Sequence, residues 1–175
     1  MADDVIAGER IALRVPRLDD AENLYAVVTS DPEVTRYLAW PPHRGVEETR
    51  AVIAGLFNVG DDHTWLITLR DGGELVGQIG YFHTAPYAVQ LGYALGRRYW
   101  DRGLAGEALQ LVVDHLRSDP ALYRAAASVH PDNARSARVL ARAGFTLEAR
   151  QARAQLFPNL APEPQDALLY GMALR

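Results

Sequence analysis

Residues 96–106 read Gly96–Arg97–Arg98–Tyr99–Trp100–Asp101–Arg102–Gly103–Leu104–Ala105–Gly106, which is three glycines and three arginines in eleven positions. An apolar run, 89–95, precedes them, and an apolar pattern of helical period follows at once. A strand, a glycine-rich loop and a helix N-terminus in that order present unpaired backbone N–H groups and the positive end of a helix dipole to an anion. Pyrophosphate is the natural ligand for such a turn, so the chain is expected to bind a phosphorylated cofactor.

Three phosphate loops compete for the segment. The Walker loop needs Lys followed by Ser or Thr after its last glycine; here Leu104 and Ala105 follow Gly103, and the chain contains no lysine. The dinucleotide fingerprint needs G-x-G-x-x-G, and Gly96 and Gly103 are wrongly spaced for it. The third matches: Trp100–Asp101–Arg102–Gly103–Leu104–Ala105 resembles the Q/R-x-x-G-x-G/A loop of the GNAT superfamily of acetyl-CoA-dependent N-acetyltransferases. Trp100 stands where that loop carries Gln or Arg, and is read as a residue packed beneath it. Three further segments are similar to the RimJ/RimL-like branch of that superfamily. They are Gly8–Glu9–Arg10–Ile11–Ala12–Leu13–Arg14 with Val34–Thr35–Arg36–Tyr37–Leu38–Ala39–Trp40, then Gly92–Tyr93, then Asn133–Ala134–Arg135–Ser136 with Leu140–Ala141–Arg142–Ala143–Gly144–Phe145. The resemblance covers nearly the whole chain.

It implies the following roles. Asp101, Arg102, Gly103, Leu104, Ala105 and Gly106 hold the coenzyme A phosphates, with Gly103 letting backbone approach closely. Arg97 and Arg98 are candidates for the same anions, since guanidinium matches phosphate geometry, and Arg142 for the 3′-phosphate. The end of the central strand parts from the strand ending Ser128–Val129–His130, so that backbone groups of Ala94 and Leu95 pair with the pantetheine arm. Asn133 hydrogen-bonds that arm and Ser136 assists the departing thiolate. Asn133 also suits a helix N-cap, and the two uses are compatible. Tyr37, Trp40 and Tyr81 line the acceptor side, with Gln90 on the central strand.

Gln90 occupies a place where relatives often carry Glu, and an amide accepts no proton. The base is then another group or water. His83, at a strand end, is the first candidate, with Asp166 and Tyr170 behind it.

Composition narrows the field. At 175 residues, with 49% apolar and 23% charged residues, the chain is expected to form one domain, 1–175. The absence of cysteine excludes disulfides, thiolate metal sites and an acyl-cysteine intermediate, so transfer should be direct unless Ser or another nucleophile intervenes. Net charge is −4, from 22 acids and 18 arginines, without the basic excess of a nucleic-acid binder. The five histidines show no paired metal-ligand spacing. No apolar run is long enough for a membrane span, and Met1–Ala2–Asp3–Asp4 is an acidic opening unlike a signal peptide. A cytoplasmic protein is expected, with no nucleic-acid or membrane partner, and a homodimer is possible by resemblance.

Periodicity and punctuation place the elements. Strands are predicted at 9–15, 63–69, 74–82, 89–95, 123–129, 145–156 and 166–174, with a hairpin turn at Asp71–Gly72–Gly73. Helices are predicted at 18–28, 32–38, 46–57, 104–116 and 134–143, the fourth with Leu104, Ala108, Leu109, Val112, Val113 and Leu116 on one face. The expected fold is mixed α/β (α+β): a twisted, mostly antiparallel sheet of about seven strands with helices on both faces. The expected activity is acetyl transfer to a primary amine, either a protein or peptide N-terminus or a small amine such as an amino acid, polyamine or aminoglycoside. A non-catalytic acyl-CoA sensor is the alternative from another class.

Overall fold

The computed structural model describes residues 5–175; the acidic opening Met1–Asp4 lies outside them. The chain opens with β1 (Val5–Ala7) and β2 (Ile11–Arg14), an antiparallel pair. A single strand was expected over 9–15; β1 is too short to reveal an alternation. Residues 18–29 are helical throughout but irregular: a tight turn at Leu18–Asp20, α1 (Ala21–Leu24) and a widened turn at Tyr25–Thr29. The β-branched run Val27–Val28–Thr29 falls in the widened part.

Asp31 caps α2 (Pro32–Thr35), accepting the Glu33 N–H at 2.9 Å, with Pro32 in the first turn as predicted. The helix stops at Thr35 rather than Leu38. The Thr35 hydroxyl bonds back to the Asp31 carbonyl at 3.0 Å, a contact that favours a short or bent helix. α3 (Val46–Gly55) follows, then the hairpin β3 (Asp62–Leu69) and β4 (Leu75–Ala85), then β5 (Ala88–Leu95). α4 (Leu104–Ser118), β6 (Arg124–Val129), α5 (Ala134–Arg142), β7 (Thr146–Gln155) and β8 (Gln165–Ala173) complete it.

The eight strands lie in the order β1-β2-β3-β4-β5-β6-β8-β7, one more than expected because of β1. Every pairing is antiparallel except β5–β6, which α4 connects as a crossover. Helices cover both faces. All six predicted apolar residues of α4 are buried, and with Leu140 of α5 they pack on Ile67, Ile79, Leu91 and Leu95. On the other face Ala21, Leu24, Val28 and Ile53 pack on Leu66 and Ala94. Leu66 against Ile67, and Ala94 against Leu95, are alternate residues of one strand serving opposite layers.

One pairing determines where ligands can go. β5 and β6 are in register only from Ala88 opposite Arg124 to Leu91 opposite Ala127. Beyond that β5 keeps β4, as far as Leu95 opposite Gly77, while β6 keeps β8, as far as Val129 opposite Leu168. The strands therefore part, as the resemblance implied, and 92–95 face a gap. β4 and β5 come so close at Gly77 that a Cβ there would run into the Ala94 carbonyl.

Asp20 fastens the start of the helical layer to β2. Its carboxylate accepts from Arg14 at 2.6 and 2.8 Å and from the Arg17 N–H at 2.7 Å. Burial pushes this carboxyl up, but the bonds from Arg14 and Arg17 outweigh it and hold it below the usual carboxylate range. Asp20→Asn should cost about 1–2 kcal/mol at neutral pH, the pair being partly solvated, and lower Tm by a few degrees. The wild-type advantage is complete above the unfolded-state value near 3.9. It vanishes as pH falls through the depressed folded-state value, so the two melting curves should converge in acid. Thermal melts at neutral and acid pH check this; an undiminished difference in acid would rule the linkage out.

Candidate active site

A cavity of about 640 Å³ opens at the parted end of β5. One wall is the loop and first turn of α4, from Tyr99 to Gly106; the other is the start of α5. Glu33 and Val34 of α2, with Arg36, Tyr37 and Leu38 at its exit, line the front.

The loop is built for close approach by an anion. Gly103 sits at φ 77, in the left-handed region that costs any other residue energy, and a Cβ there would also press on the Arg10 guanidinium. As N-cap it brings no side-chain oxygen. The N–H groups of Leu104, Ala105 and Gly106 are thus left without an intrahelical partner at the positive end of a 15-residue helix. Arg10 props the loop from below: Nη1 donates to the Arg102 carbonyl at 2.9 Å and Nε to Glu107 at 2.8 Å. Burial pushes the Glu107 carboxyl up, yet bonds from Arg10 and the Ile11 N–H hold it below its usual value.

The cationic lining differs from the expectation. Arg97 and Arg98 do not reach the cavity. The tight turn Arg97–Tyr99 points them outward, Arg97 to Asp31 at 2.6 Å and Arg98 to Glu74. Arg102 also lies outside, over the Tyr99 ring and beside a smaller pocket with Arg10 and Arg70. The arginines that do line the cavity are Arg36, just after α2, and Arg135, Arg138 and Arg142 of α5. Only Arg142 was singled out from the sequence, although the i, i+3, i+7 spacing of the α5 three was readable there. Arg135 stacks 3.9 Å over the Trp100 ring and pairs with Asp101 at 3.5 Å, spanning the cavity. Asp101 itself takes φ 58.

Trp100 packs under the loop as expected and does more: its Nε1 donates to the Leu95 carbonyl at 2.7 Å. That corrects the expectation for the strand edge. The Ala94 carbonyl faces β4, and the Leu95 carbonyl is taken by the indole. Because the Gly96 N–H bonds Val76 on the β4 side, alternation turns the N–H of Leu95, and the polar groups of Tyr93, toward the gap.

Asn133 caps α5, accepting the Ser136 N–H at 3.2 Å through Oδ1. Ser136 Oγ lies 2.9 Å from the Tyr93 hydroxyl, a contact the sequence did not suggest. Burial pushes the Tyr93 phenol up to about 12, against a smaller pull from Ser136.

The acceptor-side expectations divide. Tyr37 lines the cavity and stacks on His130 at 5.2 Å. Trp40 is a half-buried packing residue whose carbonyl, with that of Thr35, accepts from Asn159 Nδ2 at 2.8 and 2.7 Å. Asn159 thereby ties the β7–β8 loop to the front wall. Tyr81 is buried on the α4 face against His63 and Trp65, so it is a core residue. His83 lies beside Tyr81, opposite Val89, six residues along β4 from Gly77. Tyr93, which reaches Ser136, is opposite Ile79, four residues from His83 or about 13 Å along the strand, and His83 does not line the cavity, so it is not placed to act as a base. Asp166 is likewise unsuited: the Arg153 N–H and Arg150 hold it below its usual range. Tyr170 is in the core. Gln90 stays in the paired part of β5, on the same face as Gly92, and is not part of the cavity lining. His130 has Nδ1 accepting from the Asp132 N–H and Nε2 beside Gln165 Oε1 at 3.1 Å, so both ring nitrogens are engaged within the protein. Of the lining carboxylates, Asp101 is paired with Arg135, Glu33 lies 4.0 Å from Arg36, and Asp132 is largely exposed. Among the described residues no cluster could hold a metal ion, and no helix is long and apolar enough to cross a membrane.

Known proteins share this architecture. The chain is 32% identical over 145 residues to an uncharacterized N-acetyltransferase, p20, of Bacillus licheniformis, a match covering 80% of this chain and 81% of p20. It is 36% identical over 81 residues to the [ribosomal protein uS5]-alanine N-acetyltransferase of Escherichia coli, covering 45% of this chain and 42% of that protein. Its fold superposes on RimL, a ribosomal L7/L12 alpha-N-protein acetyltransferase solved in complex with coenzyme A, with a TM-score of 0.84 at 23% identity over 97% of both chains. Residues 10–146 match the family described as the acetyltransferase (GNAT) domain, and with that match this chain belongs to the GNAT family of N-acetyltransferases.

Proposed function

We propose that this chain transfers acetyl from acetyl-CoA directly to a primary amine, and that the amine is the N-terminus of a protein or peptide, as in the RimJ/RimL-like branch. One observation carries the reading: a single cavity joins an anion cradle at the α4 N-terminus to an unpaired strand edge, with Ser136 lining the space between. The amides of Leu104 to Gly106, with Arg138 and Arg142, suit the phosphates. The Leu95 N–H and the Asn133 amide group suit the pantetheine arm. Ser136 suits the leaving sulfur. Acetyl-CoA brings the activated acyl group; the chain's residues bind it and orient the acceptor. For the acceptor, support comes from the ribosomal-protein enzymes among the relatives.

Gly103→Ala should raise KM for acetyl-CoA by about tenfold or more, because it strains the loop where backbone must approach phosphate. Arg138→Ala and Arg142→Ala should each raise KM by about threefold to tenfold and flatten its dependence on salt. Arg97→Ala and Arg98→Ala should leave KM within about twofold, as surface pairs contribute little. Steady-state kinetics at two ionic strengths separate these sets, and an equal effect of all four arginines would refute the assignment.

No histidine lines the cavity, so the ammonium proton of the acceptor passes to water. With peptide acceptors kcat/KM should rise with pH through the α-amine value near 8 rather than through the histidine value near 6.5. Thiol release from acetyl-CoA, free of background because the protein has no cysteine, reads both questions. One pool of acceptors holds peptides with free N-termini, the other polyamines, amino acids and aminoglycosides. Turnover confined to the second pool would overturn the peptide reading; acetyl-CoA binding with silence in both would replace an enzyme with a sensor.

A further inference from the structure

Tyr93 is a residue for which the reading above gives no task. It stands on β5 where the strand has lost β6, and its side chain crosses the gap to the first turn of α5. There its hydroxyl oxygen lies 2.9 Å from Ser136 Oγ and 3.4 Å from the Ser136 carbonyl. The same serine is fixed from below by its N–H, which donates to Asn133 Oδ1. Both Tyr93 and Ser136 line the cavity.

The hydrogen count of this pair is restrictive. A phenol has one hydrogen and a serine hydroxyl has one. The Ser136 carbonyl belongs to the α5 ladder and is the more distant acceptor, whereas Oγ is at good hydrogen-bond distance. When Tyr93 donates to Oγ, the Ser136 hydrogen is left for the cavity. When Ser136 donates to Tyr93, that hydrogen is used up inside the pair. A phenol kept protonated by burial remains a donor throughout the working pH range.

Resting on the function proposed above, we infer that Tyr93 is a positioning residue: by donating to Ser136 Oγ it turns the serine hydrogen into the cavity, so that the pair stabilises the departing coenzyme A thiolate by hydrogen bonding. In the transfer the amine nitrogen bonds to the thioester carbonyl carbon, the carbon–sulfur bond breaks and its electron pair stays on sulfur. The nitrogen loses its protons to solvent and the thiolate gains one from solvent below its pKa. Ser136 and Tyr93 keep theirs. A relay from Tyr93 to sulfur would run uphill, from a group near 12 to a thiol near 8.5.

The first measurement needs no acceptor. Bind coenzyme A, with desulfo-coenzyme A as the blank, and titrate the thiolate absorbance, which belongs to the ligand alone because the chain has no cysteine. In wild type the bound thiol should ionise below the free value of about 8.5. Tyr93→Phe and Ser136→Ala should each raise it by roughly half a unit to one unit, the equivalent of one hydrogen bond. The double variant should match Ser136→Ala alone, because Tyr93 acts only through the serine. The other charges round the cavity are Glu33 on α2, Arg36 just after it, Asp101 on the loop, Asp132 and the three α5 arginines. All are common to the four proteins, so the differences isolate the pair. Single-turnover acetyl transfer should slow by about fivefold to tenfold in Tyr93→Phe at unchanged acetyl-CoA affinity. An identical thiol titration in wild type and Tyr93→Phe, or a further shift when Tyr93→Phe is added to Ser136→Ala, would overturn the inference. Silence on every amine with the thiol shifts intact would instead count against the proposed function and leave the pair standing.

Discussion

The site depends on two neighbouring strands parting while each keeps its outer partner. β5 is held by β4 as far as Leu95, and β6 by β8 as far as Val129, so neither can swing back to close the gap without breaking a ladder. Unpaired backbone at a buried edge is costly, and the fold limits that cost group by group. The Leu95 carbonyl receives the Trp100 indole, leaving its N–H as the group a ligand can use. Side chains then bridge the lips at two levels, Tyr93 to Ser136 and Arg135 to Trp100 and Asp101. The gap is spanned by contacts that define its walls.

Charge is divided by whether a carboxylate stands near. Arg97 and Arg98 flank the loop but meet Asp31 and Glu74, and Arg10 meets Glu107, so these guanidiniums fasten the loop to α2, to the β3–β4 turn and to β2. No carboxylate pairs with Arg138 or Arg142 among the described contacts, and both line the cavity. The first set stiffens the cradle; the second is available to an incoming anion. Stiffening matters because a cradle of backbone amides binds best when its ordering cost is met before the ligand arrives.

Local chemistry was legible in the sequence, and side-chain direction was not. The Asp31 cap, the Asp71–Gly72–Gly73 turn, the buried face of α4 and the Gly103 turn each follow from a few adjacent residues, and each is present. β1 escaped because three residues carry no period. Tyr81 and His83 were misplaced because strand alternation says that they share a face, and not which layer that face meets. The loop arginines were favoured for their proximity in sequence to the glycines; their partners, Asp31 and Glu74, come from elsewhere in the chain. Tyr93 and Ser136 are 43 positions apart, and only the crossover brings them together.

Gln90 is then less of a gap in the machinery than it first looks. An amine attacking a thioester needs a free lone pair and a leaving group that can bear charge. The thiol, near 8.5, leaves readily and asks for no more than a hydrogen bond. The lone pair is the selective requirement. At neutral pH roughly a seventh of an α-amine near 7.8 is unprotonated, against well under a thousandth of a lysine-type amine near 10.4. That difference of a few hundredfold is inherent in the acceptor, and a site with a strong base would erase much of it. With an amide at 90, and the nearest carboxylates paired or solvated, the chain leaves the difference in place and adds orientation. On the function proposed above, such a site would favour acceptors that arrive already deprotonated, which is the physical reason to look first among protein and peptide N-termini.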